Sequence, residues 1–139
     1  MFKILRVDHI GIAVKDLQAT KAFYAGTLGI NHLPEDEIVE EQKVKVSFFP
    51  MGDCELEFLE STTPDGPIGR YIEKNGGEGI QHVALAVDDL NAALADLKEK
   101  GVRLIDEKPR YGAGGSDIAF IHPKATGGIL VELCQRKKK

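Results

Sequence analysis

Val7-Asp8-His9-Ile10-Gly11-Ile12-Ala13-Val14-Lys15-Asp16-Leu17 is the stretch that decides the fold, because it occurs twice. It returns 73 residues later as Ile80-Gln81-His82-Val83-Ala84-Leu85-Ala86-Val87-Asp88-Asp89-Leu90. The offset is about half of the 139 residues, and both copies carry a histidine at the same place. A repeat of this length indicates two similar modules placed face to face. The repeat therefore predicts that His9 and His82 occupy equivalent positions and share one site.

The composition is that of one domain of ordinary size. The charged fraction is 29% and the net charge is −4, and the two cysteines lack paired spacing, which favours reduced thiols. No apolar run reaches the roughly 18 residues of a membrane span, and the N-terminus lacks a signal-peptide pattern. The basic block 136–139 is interpreted as a solvated tail and not as a nucleic-acid site. These features predict a cytoplasmic protein with a small-molecule ligand, no nucleic acid and no membrane.

Each copy of the repeat opens a predicted βαβββ module. The helices begin after Asp16 and Asp89 as N-caps, and Gly29 and Gly101 end them. The predicted strands are 4–14, 36–41, 43–50 and 54–60 in the first module, and 80–87, 103–107, 117–121 and 128–134 in the second. Glycine and proline mark a connector, with a short helix at 68–74. The sequence thus predicts a single domain over 1–139, made of a module at about 4–60, a connector at 61–79 and a module at about 80–135.

Four strands and one helix cannot cover both faces of a sheet, so the modules are expected to combine. The predicted fold class is α+β, with two βαβββ modules forming a curved mixed sheet around a metal-binding cleft and the helices outside.

Alternation along the two repeat strands separates small from bulky side chains. The residues in phase with the histidines are small, whereas those out of phase are large and apolar. The small set is Gly11, Ala13, Ala84 and Ala86. The bulky faces are expected to pack on the helices, which leaves space for a ligand beside His9 and His82.

Two carboxylates follow the same repeat. Glu57 lies 48 residues after His9, and Glu132 lies 50 residues after His82, each inside an apolar strand where an unpaired carboxylate is costly. Two imidazoles and two carboxylates suit Co²⁺, Mn²⁺, Ni²⁺, Zn²⁺ or Fe²⁺ better than the oxygen-only sites of Ca²⁺. The pattern does not choose the ion. Four protein ligands on an octahedral ion leave two positions for water or a chelating substrate.

At these residues the chain resembles the vicinal oxygen chelate superfamily, and further motifs are similar to those of the methylmalonyl-CoA epimerase family. The resemblance covers nearly the whole chain. Its motifs are Asp8-His9-Ile10-Gly11-Ile12-Ala13-Val14, Glu40-Glu41-Gln42, Lys74-Asn75-Gly76-Gly77-Glu78-Gly79-Ile80-Gln81-His82, Tyr111-Gly112-Ala113-Gly114-Gly115, Phe120-Ile121-His122-Pro123-Lys124 and Gly127-Gly128-Ile129-Leu130-Val131-Glu132-Leu133.

The resemblance implies roles for individual residues. It assigns a divalent metal ion to His9, Glu57, His82 and Glu132, and proton transfer to Glu132. Some relatives carry a glutamate base at the position that aligns with Val46, and valine cannot transfer a proton. The second acid that inversion requires is therefore expected to be Glu57, a water or an acidic residue from 35–41.

Substrate binding is expected at Gln42, at Gly114 and Gly115 through their backbone, and at Lys124. The alternative for the glycine loop and Lys124 is a surface turn with a solvated lysine.

The implied activity is metal-dependent interconversion of the C2 epimers of methylmalonyl-CoA, an acyl-CoA substrate, through an enolate. The implied assembly is a homodimer. Two alternatives stay open: a glyoxalase I type lyase or isomerase acting on a thiol adduct, and a non-catalytic small-molecule-binding protein of the same fold.

Overall fold

The computed structural model describes residues 2–137, which form eight strands and three helices. The strands are β1 Ile4–Ala13, β2 Glu37–Val39, β3 Val44–Met51, β4 Cys54–Ser61, β5 Gly79–Val87, β6 Arg110–Gly112, β7 Ser116–Ile121 and β8 Val131–Gln135. The helices are α1 Leu17–Lys21, α2 Pro67–Asn75 and α3 Leu90–Glu99. Within the described residues, no helix has the length and apolar character that crossing a membrane requires.

The chain packs as two compact units whose boundaries fall inside β1 and β5. One unit comprises Ile10–Gln81, and the other comprises the chain up to His9 together with the chain from His82. These units follow packing, whereas the predicted modules follow the sequence repeat, so the module boundaries remain a prediction.

The unit of Ile10–Gln81 has the strand order β2-β3-β4-β1. β3 and β4 form an antiparallel hairpin that places Phe48 opposite Glu57, and the Val14 N–H donates to the Leu59 carbonyl over 2.9 Å. In the core of this unit, one side of the hairpin packs against α1. The buried members of the core are Val14, Leu17, Phe49 and Phe58, with Ile12 and Tyr24 packed on them.

The other unit has the strand order β1-β5-β8-β7-β6. β5 and β8 are parallel, with Ala84 opposite Glu132, whereas β7 pairs antiparallel with β8. The core lies between α3 and the sheet, and its buried members are Val87, Leu90, Ala93, Leu94, Ala119 and Leu133. The sheet is therefore mixed, and the predicted α+β class is confirmed.

Both predicted helix caps are confirmed. The Asp16 carboxylate accepts from the Ala19 N–H over 3.1 Å, and the Asp89 carboxylate accepts from the Ala92 N–H over 3.0 Å. Each bond satisfies a backbone donor that the first helical turn leaves without an intrahelical acceptor.

The first predicted helix changes character along its length. α1 ends at Lys21 and continues as a π-helical segment over Ala22–Thr27, after which the Leu28 N–H donates to the Phe23 carbonyl. The wider turn lets Tyr24 pack on the cluster that contains Phe58, with ring centroids 4.6 Å apart.

The predicted strand at 103–107 is wrong, because this segment contributes only one isolated bridge, from Leu104 to Ile121. Most of its hydrogen bonds go to one residue: the Ile105 and Asp106 N–H groups both donate to the Phe120 carbonyl, and the Asp106 carboxylate accepts from the Phe120 N–H. A side chain thus replaces the backbone acceptor of a regular ladder. The strand of this region is β6, which the sequence pattern did not reveal.

Candidate metal centre

Three of the four predicted metal ligands meet within the unit that contains α3. His9 ends the part of β1 in this unit, His82 lies on the neighbouring β5, and Glu132 lies on β8 beside β5. The two histidine Nε2 atoms are 3.1 Å apart, His9 Nε2 is 3.3 Å from Glu132 Oε2, and His82 Nε2 is 3.5 Å from Glu132 Oε1. All three side chains are buried. The chain therefore presents two imidazole nitrogens and a carboxylate toward one point.

The faces of β5 explain why His82 and Glu132 can approach. Ala84 and Ala86, in phase with His82, are buried and small. On the opposite face, Leu85 and Val87 join the core cluster under α3, as the alternation predicted. Small side chains beside His82 thus leave room for the Glu132 carboxylate on the adjacent strand.

Burial changes the protonation of this cluster. It raises the pKa of Glu132 to about 7, an effect that the nearby His9 opposes. Burial, reinforced by the charge of His9, lowers the pKa of His82 to about 3. His82 is therefore a neutral imidazole at neutral pH, which is the form that binds metals. Glu132 is poised to gain or lose a proton near neutrality.

The three side chains fit a divalent cation. Glu132 Oε2 is buried and accepts no hydrogen bond from any residue between positions 2 and 137. A buried carboxylate oxygen in this state costs free energy, which a cation would offset. Two imidazole nitrogens that face each other at 3.1 Å also match a shared cation. Nitrogen and oxygen donors of this kind suit Co²⁺, Mn²⁺, Ni²⁺ or Zn²⁺.

Glu57, the fourth predicted ligand, lies on β4 in the unit of Ile10–Gln81. It is buried, and it stands between Leu56 and Phe58 in the strand, opposite Phe48 of β3. A carboxylate in such surroundings is costly unless paired or bound to a cation. Its place in the ligand set stays a prediction from the repeat and the resemblance. Val46, where some relatives are expected to carry a base, is a buried core residue of β3.

The predicted substrate-binding residues all lie in turns. Gln42 ends a short 3₁₀ turn over Glu40–Gln42 and is half-buried. Lys124 is exposed in the turn Pro123–Ala125, and its backbone N–H donates to His122 Nδ1.

Gly114 and Gly115 lie in the turn Ala113–Gly115, both with left-handed φ values of 78° and 77°. A Cβ on Gly114 would stand 2.8 Å from Arg136 Nη1, so the loop backbone approaches this guanidinium closely. Their role in binding substrate stays a prediction.

Sequence reasoning missed Asp8 and Arg136. Asp8 is buried and its Oδ2 lies 2.8 Å from His9 Nδ1, while Arg136 donates to Asp8 Oδ2 over 2.7 Å. The interpretation of Arg136 as part of a solvated tail is therefore wrong, whereas Lys138 and Lys139 lie outside the described residues. The only available signal was that Asp8 precedes His9 where Gln81 precedes His82.

Residues 8–120 match the family model described as "Glyoxalase/Bleomycin resistance protein/Dioxygenase superfamily". The chain belongs to this superfamily.

Relatives within the superfamily are similar over most of their length. An ethylmalonyl-CoA/methylmalonyl-CoA epimerase of Cereibacter sphaeroides is 39% identical, over 94% of this chain and 97% of that protein. The mitochondrial methylmalonyl-CoA epimerase of Homo sapiens is 40% identical, over 94% of this chain and 73% of that protein. A variant of the Streptomyces coelicolor methylmalonyl-CoA epimerase, solved in complex with 2-nitronate-propionyl-CoA, superposes with a TM-score of 0.90 and 39% identity, over 98% of this chain and 100% of that chain.

Proposed function

We propose that this protein is a metal-dependent methylmalonyl-CoA epimerase, an isomerase that interconverts the two C2 epimers of its acyl-CoA substrate. The observation that carries the proposal is the buried set of His9, His82 and Glu132, whose nitrogen and oxygen atoms converge within one unit. The names and bound compounds of the relatives support the substrate class. The repeat and the resemblance extend the ligand set to Glu57.

When bound to these residues, the divalent ion supplies Lewis-acid stabilisation of the negative charge that develops on the thioester oxygen. The C2 hydrogen lies between a thioester and a carboxylate, so its removal leaves a delocalised enolate. Glu132 accepts this proton on a carboxylate oxygen. Burial raises the pKa of Glu132 above that of an ordinary carboxyl group in the metal-free protein, and a more basic carboxylate is the better acceptor of a proton from carbon.

Inversion at C2 requires proton delivery to the opposite face of the enolate. Val46 carries no titratable group, so the chain needs another acid there. We assign this role to Glu57, which is a buried carboxylate on β4. A water or an acidic side chain from 35–41 are the alternatives, and Glu57→Gln tests the assignment by losing inversion while it keeps exchange on one face.

The remaining assignments complete the proposal. The acyl-CoA is bound by Gln42, by the backbone of Gly114 and Gly115, and by Lys124. The protein acts in the cytoplasm as a homodimer. Sedimentation of the purified protein at several concentrations tests the assembly.

Deuterium exchange at C2 of methylmalonyl-CoA, followed by NMR in D₂O, tests the function directly. We expect exchange by protein loaded with Co²⁺, Mn²⁺ or Zn²⁺, no exchange by metal-free protein, and loss of exchange in Glu132→Gln. Ethylmalonyl-CoA in a parallel reaction measures the breadth of the substrate class. Turnover of methylglyoxal with glutathione, in the absence of C2 exchange, would contradict the proposal in favour of a glyoxalase I type activity.

A further inference from the structure

Asp8 is a buried carboxylate that is held on both oxygens. Its Oδ2 lies 2.8 Å from His9 Nδ1 and accepts from Arg136 Nη2 over 2.7 Å. Its Oδ1 accepts from Arg136 Nε over 3.1 Å and from Arg6 Nη2 over 3.5 Å. The Arg136 contact is the two-point pairing of guanidinium with carboxylate that fixes geometry as well as charge. Asp8 therefore has one defined orientation.

This orientation constrains the His9 ring. An ionised carboxylate can only accept, so His9 Nδ1 must carry the proton of their hydrogen bond. Both Asp8 oxygens accept from guanidinium groups, in a two-point contact with Arg136 and a contact with Arg6, and these are the partners of an ionised carboxylate. The other ring nitrogen, Nε2, then points its lone pair at the place where His82 Nε2 and Glu132 Oε2 lie, 3.1 and 3.3 Å away.

Arg136 is itself fixed on its other side. The backbone of Gly114 lies so close that a Cβ there would stand 2.8 Å from Arg136 Nη1. The guanidinium thus lies between the Ala113–Gly115 turn and Asp8, and its side chain is 34% exposed, so part of its surface is removed from water. Hydrogen bonds run from Arg136 through Asp8 to His9, and the Gly114 backbone leaves no room for a side chain beside the guanidinium.

We propose that Asp8, held by Arg136, is the positioning residue for the metal ligand His9, fixing the Nδ1–H tautomer so that Nε2 faces the divalent cation. A carboxylate on the second nitrogen of a ligating histidine orients the ring and raises its basicity, and loss of such a partner typically costs about 10- to 100-fold in metal affinity. The inference rests on the metal-binding part of the proposed function and is independent of the substrate.

The first test reads the tautomer in the full-length, metal-free protein. Histidine labelled with ¹⁵N in the ring is observed at about pH 8.5, where an ordinary imidazole is neutral, and the His9 signals are assigned with a His9→Gln variant. We expect His9 Nδ1 to carry a proton in the wild-type protein. A bare Nδ1 overturns the proposal, whatever the variants do.

The second test measures Co²⁺ affinity by calorimetry in Asp8→Asn, with Asp96→Asn as the control. Asp96 is also ion-paired, to Lys100 at the C-terminal end of α3, and neither residue belongs to the proposed ligand set. We expect Asp8→Asn to weaken Co²⁺ binding about 10- to 100-fold and to lower the Nδ1–H population, because an amide both donates and accepts. The control should match the wild-type protein.

The outcomes separate a positioning role from a merely structural one. If Asp8→Asn lowers the unfolding midpoint but keeps the tautomer and the Co²⁺ affinity, Asp8 is structural and the proposal fails. If Asp8→Asn does not fold, the wild-type tautomer decides, together with Arg136→Lys, which keeps the charge, loses the two-point contact and should weaken Co²⁺ binding. An absence of C2 exchange alongside the expected tautomer and affinities would refute the epimerase and leave this inference standing.

Discussion

Glu132 combines two demands that conflict in a metal-free protein. It is buried on β8 between Val131 and Leu133, where its neutral form is favoured, yet its role as ligand and base requires the carboxylate. Burial raises its pKa to about 7, so Glu132 carries a proton in a large fraction of the molecules near neutral pH until a cation binds. Metal binding therefore releases a proton from this residue.

The stability of the metal-free protein should depend on pH through Glu132. Its pKa is raised from 4.5 to about 7 on folding, so the contribution of its proton is fully present below about pH 4.5 and is lost as the pH rises through 7. We expect the free energy of unfolding of the wild-type protein to fall by about 3 kcal/mol relative to Glu132→Gln over this range. Urea unfolding of both metal-free proteins measures the difference, and parallel pH curves would contradict the prediction.

His9 and His82 occupy equivalent positions in the repeat, but the groups around their rings differ. The pKa of His82 falls to about 3 because the ring is buried beside His9, so this ligand is deprotonated before a metal arrives. His9 is instead held by the ionised Asp8. The pair thus keeps the symmetry of the repeat in position but not in surroundings.

Among the larger elements, the Ala113–Gly115 turn links a backbone conformation to the metal centre. Gly114 and Gly115 have nearly the same left-handed φ, of 78° and 77°, but only a Cβ at Gly114 would meet another atom, Arg136 Nη1 at 2.8 Å. The two glycines therefore form a matched pair in which backbone strain is the same and the contact differs.

Alanine substitutions at the two glycines should separate these effects. Both variants are expected to lose about 1 kcal/mol of stability from the left-handed backbone. Only Gly114→Ala should displace Arg136 from Asp8, and we expect it to weaken Co²⁺ binding about tenfold. Urea unfolding and calorimetry measure the two quantities; equal losses of affinity in both variants would show that the guanidinium contact does not matter.

Across the chain as a whole, the site depends on residues far apart in sequence. Asp8 and Arg136 are 128 positions apart, and His9 and His82 are 73 apart. A cation that binds these residues only in the folded state stabilises that state by mass action.

Co²⁺ should therefore raise the stability of the folded protein. At a free concentration about 100 times its Kd, we expect about 2.7 kcal/mol, seen as a higher urea midpoint. His82→Ala should show little of this gain, whereas Asp96→Asn should show all of it. An equal shift in His82→Ala and the wild-type protein would mean that Co²⁺ binds elsewhere.

Local patterns in the sequence were enough to predict much of this protein. The repeat, the alternation around His9 and His82, and the caps Asp16 and Asp89 are properties of short segments, and the α+β class and both caps are confirmed. These predictions succeeded because side-chain periodicity and capping depend on a few neighbouring residues.

Other features arose from contacts between distant segments. The segment 103–107 has a strand-like pattern, but Asp106 bonds to the backbone of Phe120 and prevents a regular ladder. Arg136 belongs to a basic run that is typical of a solvated tail, yet it follows β8, which pairs with β5 one strand away from β1, and its guanidinium reaches Asp8. Which polar side chains become partners depends on how strands that are remote in sequence pack together. A local pattern of residues does not encode the distance between two such side chains.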